Sequence, residues 1–323
     1  MRKKLITCLC IGLILLSLGG CSKSGELLTF DDSAAGAAAI DTRLTQTDYF
    51  AKDLVTVTQE ENIGNDEEFS SSGSSLLINI TDQKLLYAEH IYDRLYPASL
   101  TKLMTALVVL NYGELTDQVT VSHAASHIAE GGAKLCGFEE GDQISMEALL
   151  KSLLVYSGND AAIAIADHIS GSEEAFAGKM NEEATKIGAV HTNFVNSNGL
   201  HDDEQYTTAY DMYLIFHELL AYDTFRSIIS TDSYTAVYQD KNGNTKEKTF
   251  EATNQYLSGS AEIPEGMKII GGKTGTTSKA GSCLVLLSED AAAKEYISII
   301  LKAEGSEALY SQMTYLLGFT QSK

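Results

Sequence analysis

Short apolar, strand-like segments stand near residues 76–88 and again between 268 and 301, and the clear helical patterns all lie between them. That order calls for one sheet assembled from distant parts of the chain and covered by helices, an α+β (mixed α/β) architecture. Leu76-Leu77-Ile78-Asn79-Ile80 and Lys84-Leu85-Leu86-Tyr87-Ala88 read as two strands, with Thr81-Asp82-Gln83 closing a hairpin. Pro97 then opens a helix, in which Leu100, Leu103, Met104, Leu107 and Val108 form a buried stripe at helical spacing. Ser99 and Lys102 are expected on the flank of that stripe, where a flank can line a cleft. Helices are also expected over 147–155, 161–169 and 173–187, and from a capping box at Thr208 and Asp211 to about Leu220. Asn198-Gly199 marks a turn, and 234–238 with 249–253 reads as a surface hairpin around Asn242-Gly243-Asn244. Strands follow over 268–276, 282–287 and 296–301, and 306–317 reads as a closing amphipathic helix. There is no internal repeat.

Three short motifs sit on this frame at places that suit one chemistry. Ser99-Leu100-Thr101-Lys102 sets a hydroxyl one helical turn from an amine. A serine is a poor nucleophile until a base takes its proton, and a lysine can do so only when neutral. Burial and a second cation, Lys273, both favour the neutral amine. Ser157-Gly158-Asn159 falls in an interhelical loop; Ser157 can relay a proton to a leaving group, and Asn159 can hold Lys102 and meet a substrate amide. Lys273-Thr274-Gly275 follows Gly271-Gly272 on a strand. Those glycines let a substrate backbone come close, while Lys273 and Thr274 bind a carboxylate. The backbone N–H groups of Ser99 and Thr276 are candidates for an oxyanion hole. Taken singly, each motif is also ordinary cap or turn chemistry. Taken together and in order, they describe attack on a carbonyl of an anionic substrate.

The formal net charge is −21, and residues 1–20 carry cations but no carboxylates. Nucleic acid is an unsuitable partner for such a chain. About 280 residues beyond the leader and tether suffice for one large domain or two small ones. His123 and His127 are four apart, but no His-Glu-x-x-His motif occurs and no third ligand is evident, so no metal site is expected. The chemistry described needs no cofactor.

The N-terminus reads as an export signal: Met1-Arg2-Lys3-Lys4, an apolar run to Leu18, then Gly19-Gly20-Cys21. Leu18-Gly19-Gly20-Cys21 resembles a bacterial lipobox. That resemblance implies a signal peptide over 1–20, a lipid on Cys21, and a soluble domain held on the outer face of the cell membrane. Residues 21–45, rich in Ser, Gly, Ala and Thr, read as a flexible tether, and 46–323 as the catalytic domain. Cys8 and Cys10 leave with the signal; Cys136 and Cys283 are expected as buried, unpaired thiols.

Longer stretches carry a more specific likeness. Tyr96-Pro97-Ala98-Ser99-Leu100-Thr101-Lys102-Leu103-Met104-Thr105, Ser157-Gly158-Asn159-Asp160-Ala161-Ala162, the run from Phe194 to His201, and Gly272-Lys273-Thr274-Gly275-Thr276-Thr277 resemble the serine-type D-alanyl-D-alanine carboxypeptidases of the low-molecular-weight penicillin-binding protein family. The resemblance implies the penicillin-binding protein/β-lactamase-like transpeptidase fold, a five-stranded antiparallel sheet flanked by helices beside a helical lobe. It implies Ser99 as acylated nucleophile, Lys102 as proton acceptor, Ser157 as relay, and Asn159, Lys273, Thr274, Gly275 and Thr276 as substrate-binding residues. The substrates would be peptidoglycan stem peptides losing their terminal D-alanine, with β-lactams as covalent inhibitors. Many relatives continue into a β-rich domain, which is not expected here because the sequence reaches Lys323 just after the closing helix. Some relatives place an arginine after the last strand; here Lys302 offers a point charge instead of a fork. A β-lactamase shares the trio, but Gly158 stands where class A enzymes have aspartate, and no Glu-x-x-Leu-Asn stretch occurs. The remaining alternative is a non-catalytic penicillin-binding sensor or cell-wall binding module.

Overall fold

The computed structural model describes residues 53–57 and 67–321. The expected signal peptide, Cys21 and the tether lie outside the described residues. The N-terminal hairpin forms as β1 (Ser74–Asn79) and β2 (Lys84–Glu89). The chain then enters a single 3-10 turn (Ala98–Leu100) and helix α1 (Thr101–Tyr112). Two three-residue strands, β3 (Gln118–Thr120) and β4 (Gln143–Ser145), bracket the short helix α2 (His123–Ser126). Helices α3 (Met146–Lys151), α4 (Asn159–Ser170), α5 (Glu173–Lys186), α6 (Ala209–Leu219) and α7 (Asp223–Ile229) follow. Then come β5 (Ser233–Gln239), β6 (Thr245–Glu251), β7 (Met267–Thr277), β8 (Gly281–Asp290), β9 (Glu295–Ala303) and α8 (Ser306–Gly318).

The main sheet is five-stranded and antiparallel, in the order β2-β1-β9-β8-β7. The two ends of the domain thus meet in its middle, where β1 pairs β9 with Leu76 opposite Ile299 and Ile78 opposite Ile297. Alternation of side chains splits the core into two layers. Leu76, Ile78, Val285, Leu287, Ile297 and Ile299 face the helical side. Leu77, Leu284, Leu286 and Ile300 face α8, where Leu309, Met313, Leu316 and Leu317 cover them. Burying side chains of this size stabilises the fold by about 1.5–3 kcal/mol each. On the helical side, α1 is buried on nearly all faces from Thr101 to Val109, so it is the central helix of the molecule.

The expected elements form within a residue or three of their predicted bounds, with two differences. The surface hairpin β5–β6 is not isolated. It joins β4 through the Gln143–Gln239 pair and makes a second, four-stranded sheet in the order β3-β4-β5-β6. Strands of three residues leave too short a pattern to read in advance. The helix expected over 147–155 is also two structures: α3 stops at Lys151, and a π-helical turn carries Ser152–Tyr156. That turn ends on Ser157 in the left-handed region, with φ 72°. A non-glycine residue there costs of the order of 1–3 kcal/mol and clusters at functional sites.

Among the described residues no helix is long and apolar enough to cross a membrane. Cys136 and Cys283 are free and buried, as expected.

Candidate active site

Ser99 lies in the tight turn that precedes α1, and Lys102 in the first turn of the helix itself. Residue Ala98 is held at φ 48°, and its carbonyl accepts the Thr101 hydroxyl at 2.8 Å. The turn is therefore fixed from within. Lys102 is not on an exposed flank: it is fully buried, and its Nζ donates to Ser99 Oγ at 3.0 Å, to Asn159 Oδ1 at 2.7 Å and to the carbonyl of Asn198. Three acceptors use the three donors of an ammonium, or orient the lone pair of an amine toward the serine once one proton is lost.

Burial lowers the Lys102 pKa to about 7. The carboxylates of Asp160 and Glu173 oppose that fall, and the Lys134 cation adds to it. Lys273 is pushed well below the ordinary lysine value, first by burial, then by Lys102 and Lys134. The cation expected to act on Lys102 was Lys273. The two amines are coupled, since Lys102 acts on Lys273, and Lys134 is a further cation acting on both.

The second motif is held by α4. Asn159 is the first helical residue and its N–H donates to the Lys134 carbonyl at 2.9 Å. Asp160 anchors the same helix start: its carboxylate accepts the N–H groups of Cys136, Gly137 and Phe138 at 2.9, 2.7 and 3.2 Å. A Cβ at Gly158 would fall 2.2 Å from Cys136 Sγ, so the aspartate of class A β-lactamases has no room there. Ser157 Oγ accepts from Lys273 Nζ at 2.9 Å, which joins the second motif to the third. Lys273 also donates to the Thr274 carbonyl at 2.7 Å.

The third motif lies on β7, an edge strand that pairs with β8 alone. Its glycines serve the protein's own packing rather than a substrate's. Cβ atoms at Gly271 and Gly272 would fall 2.0 Å from the Ile229 oxygen and 2.2 Å from the Val285 oxygen. At Gly275 a Cβ would meet the amide nitrogens of Ser99 and Leu100 at 2.9 and 3.0 Å. This last approach brings β7 against the Ser99 turn.

The three motifs open on one cleft of about 520 Å³. Ser99, Ser157, Asn159, Thr274, Gly275 and Thr276 line it, while the two lysines lie buried beneath. Residues 274–277 of the β7 edge border the cleft, where an extended chain can lie as a strand added to a sheet. Its far wall is the segment Glu130–Lys134 and its mouth includes Gln255 and Tyr310. Lys302 does not line it. That side chain lies over Gly73 and borders side cavities with Lys279, so it does not take the place of the relatives' arginine.

Sequence reasoning missed Asn198 as a direct partner of Lys102. The signal was present in the Asn198-Gly199 turn: a Cβ on Gly199, at φ 86°, would fall 2.0 Å from the Ala98 oxygen. The turn is thus wedged under the Ser99 loop. Lys134 and Thr253 were also missed; Thr253 Oγ1 bonds Thr274 Oγ1 at 2.5 Å. His123 and His127 do have a third neighbour, Glu140.

Comparison with known proteins agrees with this arrangement. The family model Peptidase_S11, D-alanyl-D-alanine carboxypeptidase, matches residues 60–305. The chain is 34% identical over 256 residues to D-alanyl-D-alanine carboxypeptidase DacF of Bacillus subtilis (strain 168), covering 77% of this chain and 62% of that protein. It is 34% identical over 250 residues to D-alanyl-D-alanine carboxypeptidase DacC of Escherichia coli (strain K12), covering 75% and 59%. It therefore spans about three fifths of the length of these curated relatives. Among solved structures, the Streptomyces K15 DD-transpeptidase superposes with a TM-score of 0.71 at 30% identity, over 77% of this chain and 96% of that one. With the family model covering most of its length, this chain belongs to the D-alanyl-D-alanine carboxypeptidase family of peptidases.

Proposed function

We propose that the protein is a serine-type D-Ala-D-Ala carboxypeptidase that removes the terminal D-alanine of peptidoglycan stem peptides. The observation that carries this reading is Lys102: an amine with a pKa near 7, buried, and 3.0 Å from the Ser99 hydroxyl. In this mechanism Ser99 Oγ attacks the carbonyl carbon of the penultimate D-alanine and its proton passes to Lys102 Nζ. The oxyanion is met by the backbone N–H groups of Ser99 and Thr276. Ser157, bonded to Lys273, relays the proton held on Lys102 to the departing amine, which leaves Lys102 neutral and Ser157 again a hydroxyl. The substrate's terminal carboxylate is bound by Lys273 and Thr274, and its arrival supplies the counter-ion that lets Lys273 hold a charge. Gly275 and Asn159 flank the extended peptide, and Asn159 also meets its amide. Water then hydrolyses the ester on Ser99, with Lys102 again taking the proton. β-Lactams, which carry a strained amide and a carboxylate, would acylate the same oxygen. Cys21 would carry a lipid that holds the domain on the outer face of the cell membrane, as the lipobox-like Leu18-Gly19-Gly20-Cys21 supports.

The test is paired. Penicillin should add its mass to Ser99, and a pentapeptide should release D-alanine; both should vanish in Ser99→Ala with the fold intact. Unchanged release by that variant would reject the nucleophile. Rapid release of hydrolysed β-lactam would favour a β-lactamase. Transfer of the acyl group to an added amine in place of water would make the chain a transpeptidase. Membrane association lost in Cys21→Ala tests the anchor.

A further inference from the structure

His123, His127 and Glu140 each offer one ligand atom, and these atoms lie within 4.8 Å of one another. His123 Nδ1 is 2.7 Å from Glu140 Oε2, and the two imidazoles stack at 4.0 Å with 22° between their planes. His127 Nδ1 lies 2.8 Å from Ser126 Oγ, which steadies the second ring. All three residues are exposed, so each ring and the carboxylate can turn the small amount needed to close on an ion. Two imidazoles and one carboxylate are a donor set for zinc, cobalt, nickel or copper; calcium and magnesium prefer oxygen alone. A site with three protein ligands keeps a position for water. The chain's net charge of −21 further favours a cation.

We propose that His123, His127 and Glu140 form a surface site for one divalent transition-metal ion. The consequence lies in what the ligands enclose. His127 and Glu140 bracket the segment 128–139, whose Glu130–Lys134 stretch forms the far wall of the Ser99 cleft. Lys134 holds the N–H of Asn159 through its carbonyl. An ion at this site joins the two ends of that segment and restricts the wall's motion, because closing a loop removes conformations from it. The site is separate from the catalytic lysines and stands whether or not the chain is a carboxypeptidase.

Calorimetry of the full chain with Zn²⁺ alone tests it. One ion should bind per chain, and Co²⁺ should give the visible absorption of a nitrogen- and oxygen-ligated site of low coordination number. His127→Ala and Glu140→Gln should each weaken binding by about 10–100-fold or more, since even outer partners of a ligand matter that much. Both positions are exposed, so both variants should fold. Saturating Zn²⁺ should slow amide exchange across 128–139 in the parent protein and leave the variants unchanged. Zn²⁺ binding of undiminished affinity in the variant carrying His123→Ala, His127→Ala and Glu140→Gln together would overturn the proposal. So would the absence of binding to the parent chain, or competition by equal concentrations of Ca²⁺. None of these readouts depends on peptidase activity, so the site and the proposed reaction can fail separately.

Discussion

The two walls of the cleft are built in opposite ways. On one side Ser99, Lys102, Asn159 and Asn198 sit on buried helix starts and turns, and every donor of the Lys102 amine is engaged. On the other side, the segment around Glu130–Lys134 crosses the surface with Gly131 and Gly132 at its tip, where an added Cβ would meet nothing within 4 Å. It is tied back by the Lys134 carbonyl and by the Asp160 carboxylate beneath Cys136–Phe138. The first wall has one arrangement because packing and hydrogen bonds over-determine it. The second is held at its C-terminal end by these tethers and by Lys248 Nζ, which donates to the Cys136 and Gly137 carbonyls, while its tip at Gly131 and Gly132 faces open space, which is the usual condition of segments that open locally. A rigid reacting group facing an adjustable wall can fix chemistry while admitting peptides of differing shape.

The sharpest way to break this comparison is at the rigid wall. Lys102→Met removes the proposed proton acceptor and leaves Asn159 Oδ1, the Asn198 carbonyl and Ser99 Oγ without their shared donor. Penicillin acylation should fall by about 10³-fold or more, the scale seen when a member of a nucleophile–base unit is removed. Acylation followed by intact-protein mass checks it, and a loss below tenfold would mean that another group takes the proton.

A second effect follows from the same amine without mutation. In the proposed reaction Lys102 acts only when neutral, and its pKa is lowered to about 7. Above that pH the acylation rate should be flat; below it the rate should drop about tenfold per pH unit, as the neutral fraction does. Lowering of a lysine pKa on folding also means that the unfolded chain binds more protons between pH 7 and the ordinary lysine value near 10.5, so this residue's contribution makes the fold more stable as pH rises through that window. A pH profile of acylation with no break near neutrality would remove Lys102 from the role.

At the adjustable wall the strongest lever is Asp160. Asp160→Ala leaves the N–H groups of Cys136, Gly137 and Phe138 without their acceptor, at a cost of about 3 kcal/mol if water replaces part of it. Denaturant unfolding should show the loss, and amide exchange should speed up mainly within 128–142. Uniform acceleration over α1 as well would show that the two walls are not separate units.

How much of this was legible in the sequence follows the same division. The β1–β2 hairpin, β8 and β9 announced themselves by apolar runs, α1 and α8 by apolar spacing at helical period, and β7 by the motif it carries. The trio Ser99, Ser157 and Lys273 was readable because chemistry restricts residue type. The partners that act through the backbone were not: the Asn198 carbonyl serves Lys102, and any side chain could in principle stand above a carbonyl. The π-helical turn at Ser152–Tyr156 was hidden for a related reason, since its composition is that of an ordinary helix and only its termination at Ser157 differs. Glu140 escaped notice because it meets His123 and His127 through the fold of a loop and not through helical spacing. β7 misled on the glycines: Gly271 and Gly272 promised room for a substrate, yet the Ile229 and Val285 backbones occupy it.

The smallest predicted effect links the walls. Lys134 belongs to the adjustable wall, is exposed although partial desolvation lowers its own pKa, and rests 4.2 Å from the Tyr156 ring centre. Its cation is the smaller of the two influences that lower the Lys102 pKa, burial being the larger. Lys134→Met keeps the apolar stem but removes that charge. Lys102 then becomes easier to protonate, its pKa rises, and the acid limb of acylation should move to higher pH by a fraction of a unit, with the plateau rate retained. A shift to lower pH would contradict the sign. No shift at all, with the plateau depressed, would show that Lys134 acts through the Asn159 tether and not through its charge, leaving the two walls coupled by backbone alone.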